Sequence, residues 1–107
     1  MAITTYEYVE SAGTYDYVPV PGTEDFVTVA SEDVGGSYEW DVTDIHYSPS
    51  TRRYYVYSAS GCSCNGPYED FDFHSSLVSY GSKQELLSRF EGPEWAGIRS
   101  EIKEFKK

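Results

Sequence analysis

A chain of 107 residues that is 39% hydrophobic and 17% aromatic has the size and content of one small folded domain, and argues against a disordered tail despite a formal net charge of −10. No apolar run approaches the ~18 residues of a membrane span, and "MAITTYEYVE" lacks the basic start and apolar centre of a secretion signal. Residues 1 to 51 carry ten acids and no lysine or arginine, whereas residues 52 to 107 hold eight of each sign, which speaks against direct binding to nucleic acid and leaves a cationic partner or plain solubility.

In chain order, the first elements are strands. "TYEYV" (5–9) and "TYDYV" (14–18) are near copies that alternate tyrosine with acid, and they predict a hairpin across "ESAG". "VPVPGTED" interrupts pairing, because proline has no N–H to give a ladder, and "FVTVA" (26–30) resumes a β-branched run. In "SYEWDVTDIHYS" Tyr38, Trp40 and Val42 share one face while Glu39 and Asp41 take the other. The apolar phase then slips to Ile45 and Tyr47, which predicts a β-bulge near Thr43 and Asp44. "SPSTR" is a turn and "RYYVYSA" a returning strand, so 37–59 reads as the central hairpin.

Helices close the chain. Ser82 and Glu85 in "SKQE" have the spacing of a capping box, in which hydroxyl and carboxylate satisfy free N–H groups at a helix start. In "GPEWAGIRSEIKEFKK" Pro93 suits a first turn, and Trp95, Ile98, Ile102 and Phe105 form a stripe at helical spacing that predicts a cover for one sheet face. The fold expected is a single α+β domain over 1–107: an antiparallel sheet of four to six strands in a β-rich acidic part (1–73), covered on one face by two short C-terminal helices (82–107).

Both cysteines stand in "SGCSCNGPYEDF" (60–71). A pair one residue apart closes a strained ring, so two thiols are expected, not a disulfide framework. Cys62, Cys64, His46 and His74 form the single complete zinc set the composition permits, but the cysteine spacing departs from the usual two to four residues between paired ligands. Glu69, Asp70 and Asp72 nearby favour neutral thiols over a redox pair. The residues therefore favour a structural turn with no metal or other cofactor; a zinc-binding or purely structural module organised by this loop is the alternative. No phosphate-cradling loop, metalloprotease histidine pair or nucleophile elbow is present, which leaves only a weak case for a cysteine-dependent enzyme.

Eleven tyrosines exceed what a small core hides, so some are expected to face a partner. The candidate partner-binding residues are Glu24, Asp25, Glu39, Asp41, Tyr55 and Tyr57, with Glu39 and Asp41 on the open side of the sheet if the apolar face meets the helices.

The series "YDYVPVPGTEDF", "DVGGSYEWDV", "YSPSTRRYYVY" and "SGCSCNGPYEDF" resembles small proteins of unknown function encoded by phages of actinobacteria, which share a G-C-S-C-x-x-P-[FY]-E block after a tyrosine-rich hairpin. The resemblance covers about residues 15–73 and implies a product made in the cytoplasm of a bacterial host, neither secreted nor membranous. It brings no activity, cofactor or catalytic residue. The function expected is that of a non-enzymatic phage accessory protein that binds and modulates a host protein with a basic surface, through acids standing where nucleic-acid phosphates would lie.

Overall fold

The computed structural model describes residues 2–62, 66–68 and 71–106. Two antiparallel sheets and a few short helices give the α+β architecture expected. A two-stranded ribbon pairs β1 (Thr4–Val9) with β2 (Thr14–Pro19), and a four-stranded meander runs β3 (Val27–Asp33), β4 (Glu39–Ser48), β5 (Arg53–Cys62) and β6 (Leu77–Tyr80). The helices are α1 (Phe73–Ser76), α2 (Lys83–Arg89) and α3 (Ala96–Glu104), with a 3-10 turn at Pro93–Trp95. α1 and β6 are only four residues each, too short to show a period in the sequence.

The central hairpin decides the packing. Tyr54, Tyr55, Val56 and Tyr57 are buried in succession on β5, and successive strand residues point to opposite faces, so both faces of the sheet are covered. One face holds Ala30, Ile45, Tyr47, Tyr54 and Val56 against Leu86, Phe90, Ile98 and Ile102 of the helical part. The other holds Val42, Tyr55 and Tyr57 against Ile3, Val20, Phe26 and Phe71. The N-terminal segment and the stretch entering α1 thus form a second cover, on the face expected to stay open.

This second cover corrects the expected bulge. β4 pairs with β5 without a break from Glu39↔Cys62 to Ser48↔Arg53. Trp40 and Val42 pack on the N-terminal side and Ile45 and Tyr47 on the helical side, so the phase slip marks two buried faces, not an inserted residue. The register shift occurs on β3 instead, where Thr28 meets His46 and Ala30 meets Ile45, leaving Val29 as the extra residue.

The helical cover follows its sequence signals. The Ser82 hydroxyl accepts from the Glu85 N–H at 3.2 Å, and the Glu85 carboxylate reaches back to the Gly81 N–H at 3.1 Å, one residue earlier than the standard reciprocal bond. Ile98 and Ile102 are buried, with Trp95 and Phe105 packed beside them. Arg99 donates to the carbonyls of Leu87 and Phe90 at 2.7 and 3.2 Å, binding α3 to the end of α2. The N-terminal cover is held by Thr23, which is fully buried: its hydroxyl accepts from the Ile3 N–H at 3.0 Å and donates to the Val20 carbonyl at 2.8 Å.

Two substitutions separate the covers. Ile102→Ala should lower the unfolding free energy by about 2–5 kcal/mol in chemical denaturation, since it leaves a cavity under α3. Thr23→Val keeps the shape but removes the partner of a buried N–H, and should cost about 1–3 kcal/mol by the same measurement.

Candidate functional site

The far end of the central hairpin is shaped by Trp40. Its indole N–H donates to the Cys62 carbonyl at 3.0 Å, and its ring lies on Gly61, where an added Cβ would stand 2.5 Å from a ring atom. Glycine is therefore required opposite this tryptophan in the β4–β5 register. Beside it opens a groove of about 460 Å³ lined by Val34, Gly35, Glu39, Trp40, Asp41 and Ser60. The loop before β4 passes close, for a Cβ on Gly35 would meet the Glu39 carbonyl at 2.5 Å.

Glu39 and Asp41 are exposed on this groove, but not for the reason the alternation suggested. They share the helical face with Thr43, Ile45 and Tyr47, because Trp40 and Val42 turn to the N-terminal cover. Burial on that face ends at Thr43, which is 7% exposed, and the strand runs on with its carboxylates in solvent.

The other acids of the first half are sorted differently. Glu24 is exposed, and its carboxylate accepts from the Gly22 N–H at 2.7 and 2.9 Å, closing a turn in which Gly22 has φ 92°. Asp25 accepts from the Ser48 hydroxyl at 3.0 Å and the Ser50 N–H at 2.8 Å; hydrogen bonds from Ser50 and then Ser48 hold its carboxyl below the usual range. Asp33 accepts from the N–H groups of Asp41 and Gly35, which likewise lower it. The carboxylates of Glu24, Asp25 and Asp33 are thus taken up by local backbone and hydroxyl groups, although Glu24 and Asp33 remain exposed.

Tyr55 and Tyr57 are 7% and 6% exposed. Tyr55 stacks on Phe26 at 5.0 Å, and Tyr57 stacks on Tyr68 at 4.1 Å while its hydroxyl accepts from the Tyr68 N–H. Both belong to the core under the N-terminal cover and have little surface to offer a partner. The exposed tyrosines lie elsewhere: Tyr6, Tyr8, Tyr15 and Tyr17 on β1 and β2 are 43–58% exposed, and Tyr38, just before β4, is 80% exposed.

Among the described residues the candidate zinc ligands are not gathered. His46 is buried on the N-terminal face of β4, His74 is exposed on α1, and Cys62 is disulfide-bonded, which corrects the expectation of two thiols. Cys64 lies outside the described residues. Among the described residues no three of histidine, cysteine, aspartate and glutamate lie together as a metal would need.

His46 instead joins a polar network that the sequence reading missed. The Tyr68 hydroxyl donates to Asp44 at 2.6 Å, so it accepts from His46 Nε2–H at 3.1 Å; the Ser31 hydroxyl holds the second Asp44 oxygen at 2.5 Å. Burial pushes the His46 pKa down, opposed in part by the Asp44 charge, and burial together with the Asp44 bond drives the Tyr68 phenol far above its ordinary value. Tyr68 also has φ 71°, a left-handed backbone uncommon for a bulky residue. The one sequence signal was Asp44 itself, a carboxylate alternating with Val42 and His46 on a buried face. The network binds the loop at 66–68 to the sheet and floors a cavity of about 270 Å³ with Ile3, Tyr17 and Thr28.

A family model described as a domain of unknown function, DUF7574, matches residues 14–99. The chain belongs to this family. No curated protein and no solved structure matches it. The DUF7574 range opens on β2 and runs into α3, so it includes the groove, the polar network and half of the tyrosine ribbon, and leaves β1 outside. Among the described residues of this DUF7574 domain no helix is long and apolar enough to cross a membrane.

The buried histidine gives the fold a defined acid response. His46 is held neutral when folded and takes its proton near the ordinary 6.5 when unfolded, so its contribution is complete above that value and is lost as pH falls toward its depressed folded pKa. Unfolding measured across pH 7.5 to 4.5 should show stability falling from about pH 6.5 downward. His46→Gln, which keeps a donor for Tyr68, should lack that limb; an unchanged pH profile in the variant would assign the acid response to other groups.

Proposed function

We propose that this DUF7574 domain is a non-enzymatic accessory protein of a phage that infects actinobacteria, acting in the bacterial cytoplasm by binding a basic surface of a host protein. The observation that carries the reading is the pair Glu39 and Asp41, exposed on a groove beside Trp40 while other acids of the same half are taken up by turns. A groove edged by Val34 and two solvent-facing carboxylates suits a lysine or arginine side chain, whose charge meets the acids while its stem lies along the groove. The charge distribution supports the same partner, because ten acids without a cation in residues 1 to 51 create a field that speeds encounter with a basic protein.

The absence of chemistry in this reading has its own support. Cys62 in a disulfide offers no thiolate nucleophile, and His46 serves Tyr68, whose phenol is locked on Asp44, so neither histidine nor phenol is poised to move a proton. An acidic surface standing in for phosphate would let the protein occupy a nucleic-acid track on its host target.

The test is charge reversal at the groove. The immobilised chain is exposed to host lysate, captured proteins are identified by mass spectrometry, and one is purified for kinetics. Its surface should be basic, and its association rate should fall as salt rises from 50 to 300 mM. Glu39→Lys combined with Asp41→Lys should leave the melting temperature within a few degrees and slow association by about tenfold. Equal association by this variant at low salt would remove the groove from the interface.

A further inference from the structure

The β1–β2 ribbon carries an aromatic surface that the groove reading does not use. Its register places Tyr6 opposite Tyr17 and Tyr8 opposite Tyr15, so all four rings share one face. They form a continuous zigzag: Tyr17 to Tyr6 at 5.0 Å, Tyr6 to Tyr15 at 5.6 Å and Tyr15 to Tyr8 at 5.4 Å between centroids. Each ring remains 43–58% exposed, in contrast to Tyr54, Tyr55 and Tyr57 on β5. The opposite face of the ribbon turns toward the body, where Thr5, Glu7 and Val18 border a cavity with Phe71 and Phe73.

Charge selects the occupant. Glu7 and Asp16 face each other across the ribbon and Glu10 stands in its turn, and the ribbon holds no cation. These carboxylates lie within about one Debye length of the rings, so the aromatic face carries a negative potential in addition to that of its π electrons. A second copy would bring two such ribbons together, and like charge opposes that pairing in a chain of net charge −10. A cation that also stacks is the complementary ligand. Arginine meets both demands, since its guanidinium is planar, weakly hydrated and permanently charged, whereas the lysine ammonium is a strongly hydrated point charge. At its inner end the zigzag reaches Tyr17, which also borders the cavity holding Asp44, so the negative surface continues past the last ring.

We propose that the four-tyrosine face of the β1–β2 ribbon is a docking surface for an arginine-bearing segment of a basic protein, with guanidinium groups stacked on the rings in the field of Glu7, Glu10 and Asp16. The proposal rests on the reading of the chain as a binder of a basic partner and adds the residue type that the partner presents.

Synthetic octa-arginine and octa-lysine separate stacking from charge, because they are equal in charge and differ in planarity. Octa-arginine should bind the full-length protein about five- to tenfold more tightly by calorimetry, and should shift the ring-proton NMR signals of Tyr6, Tyr8, Tyr15 and Tyr17. Tyr8→Thr with Tyr15→Thr, which keeps residues suited to a strand, should bring arginine affinity down to the lysine value without changing lysine binding. Glu39→Lys with Asp41→Lys should weaken both peptides alike and preserve the arginine preference. Failure of the groove reading would appear as no effect of that second pair on either peptide. Equal affinity for the two peptides, ring shifts confined to other tyrosines of the unmodified protein, or a dimer in sedimentation that the tyrosine substitutions dissociate would each overturn the proposal.

Discussion

The central β4–β5 hairpin is apolar on both faces, and the remaining elements are arranged by the need to cover each of them. A narrow antiparallel sheet commonly buries one face and wets the other. Here Tyr54 and Val56 demand a cover on one side while Tyr55 and Tyr57 demand another on the opposite side. The helices meet the first demand through Leu86, Phe90, Ile98 and Ile102, each fully buried apolar side chain contributing about 1.5–3 kcal/mol. For the second face the chain uses what flanks the central strands: Ile3, Val20 and Phe26 from before them, and Phe71 with Phe73, the first residue of α1, from the connection between β5 and β6. The N-terminal cover extends to Trp40, but on the helical face burial ends earlier, and there the groove beside Trp40 opens.

The same constraint sorts the acids and the tyrosines. A loose second cover needs internal ties, and carboxylates supply them: Asp44 receives Tyr68 and Ser31, while Asp25 gathers Ser48 and Ser50 where β4 turns into β5. These groups accept charge-assisted bonds and are fixed by them. Glu39 and Asp41 lie on the helical face beyond its buried part, where the strand has no body to bind. Their exposure follows from the length of β4 relative to its covers, which is a better ground for a contact surface than acidity alone, because every acid of the first half shares the latter.

Much of the fold was legible in the residues. The capping box at Ser82 and the stripe from Trp95 to Phe105 are local signals, read within a few positions, and both helices formed where those signals placed them. The near copies "TYEYV" and "TYDYV" gave the ribbon for the same reason. What was hidden depends on distance along the chain. The slip from Val42 to Ile45 was read as a bulge because period-two reasoning presumes a single buried face, and nothing between residues 38 and 48 announces that residues 3, 20 and 26 will cover the other. Tyr68 reaches Asp44 across 24 positions, so the network could not be seen as a pattern. The burial of Tyr55 and Tyr57, named above as candidate contact residues, was hidden because alternation gives a side but not what lies against it. The run "YYVY" held the clue: four apolar residues in succession on one strand cannot all be served by one cover.

The tyrosine ribbon shows how a surface can be kept apolar without burial. A lone two-stranded hairpin is marginal in water, and directly opposed like charges such as Glu7 and Asp16 weaken it further. Two ties compensate. At its base the Val20 N–H donates to the Ile3 carbonyl at 2.8 Å, with Thr23 beneath, joining the ribbon to the second cover. Along its length the cross-strand tyrosine pairs add about 0.2–1 kcal/mol each through ring contact. The rings that hold the strands together are therefore also the exposed ones, and their outward faces stay open because the inward edges already supply the stabilising contact. Removing a ring would weaken the ribbon and the surface together, so the two roles can be separated only by a ligand that reads ring planarity at constant charge.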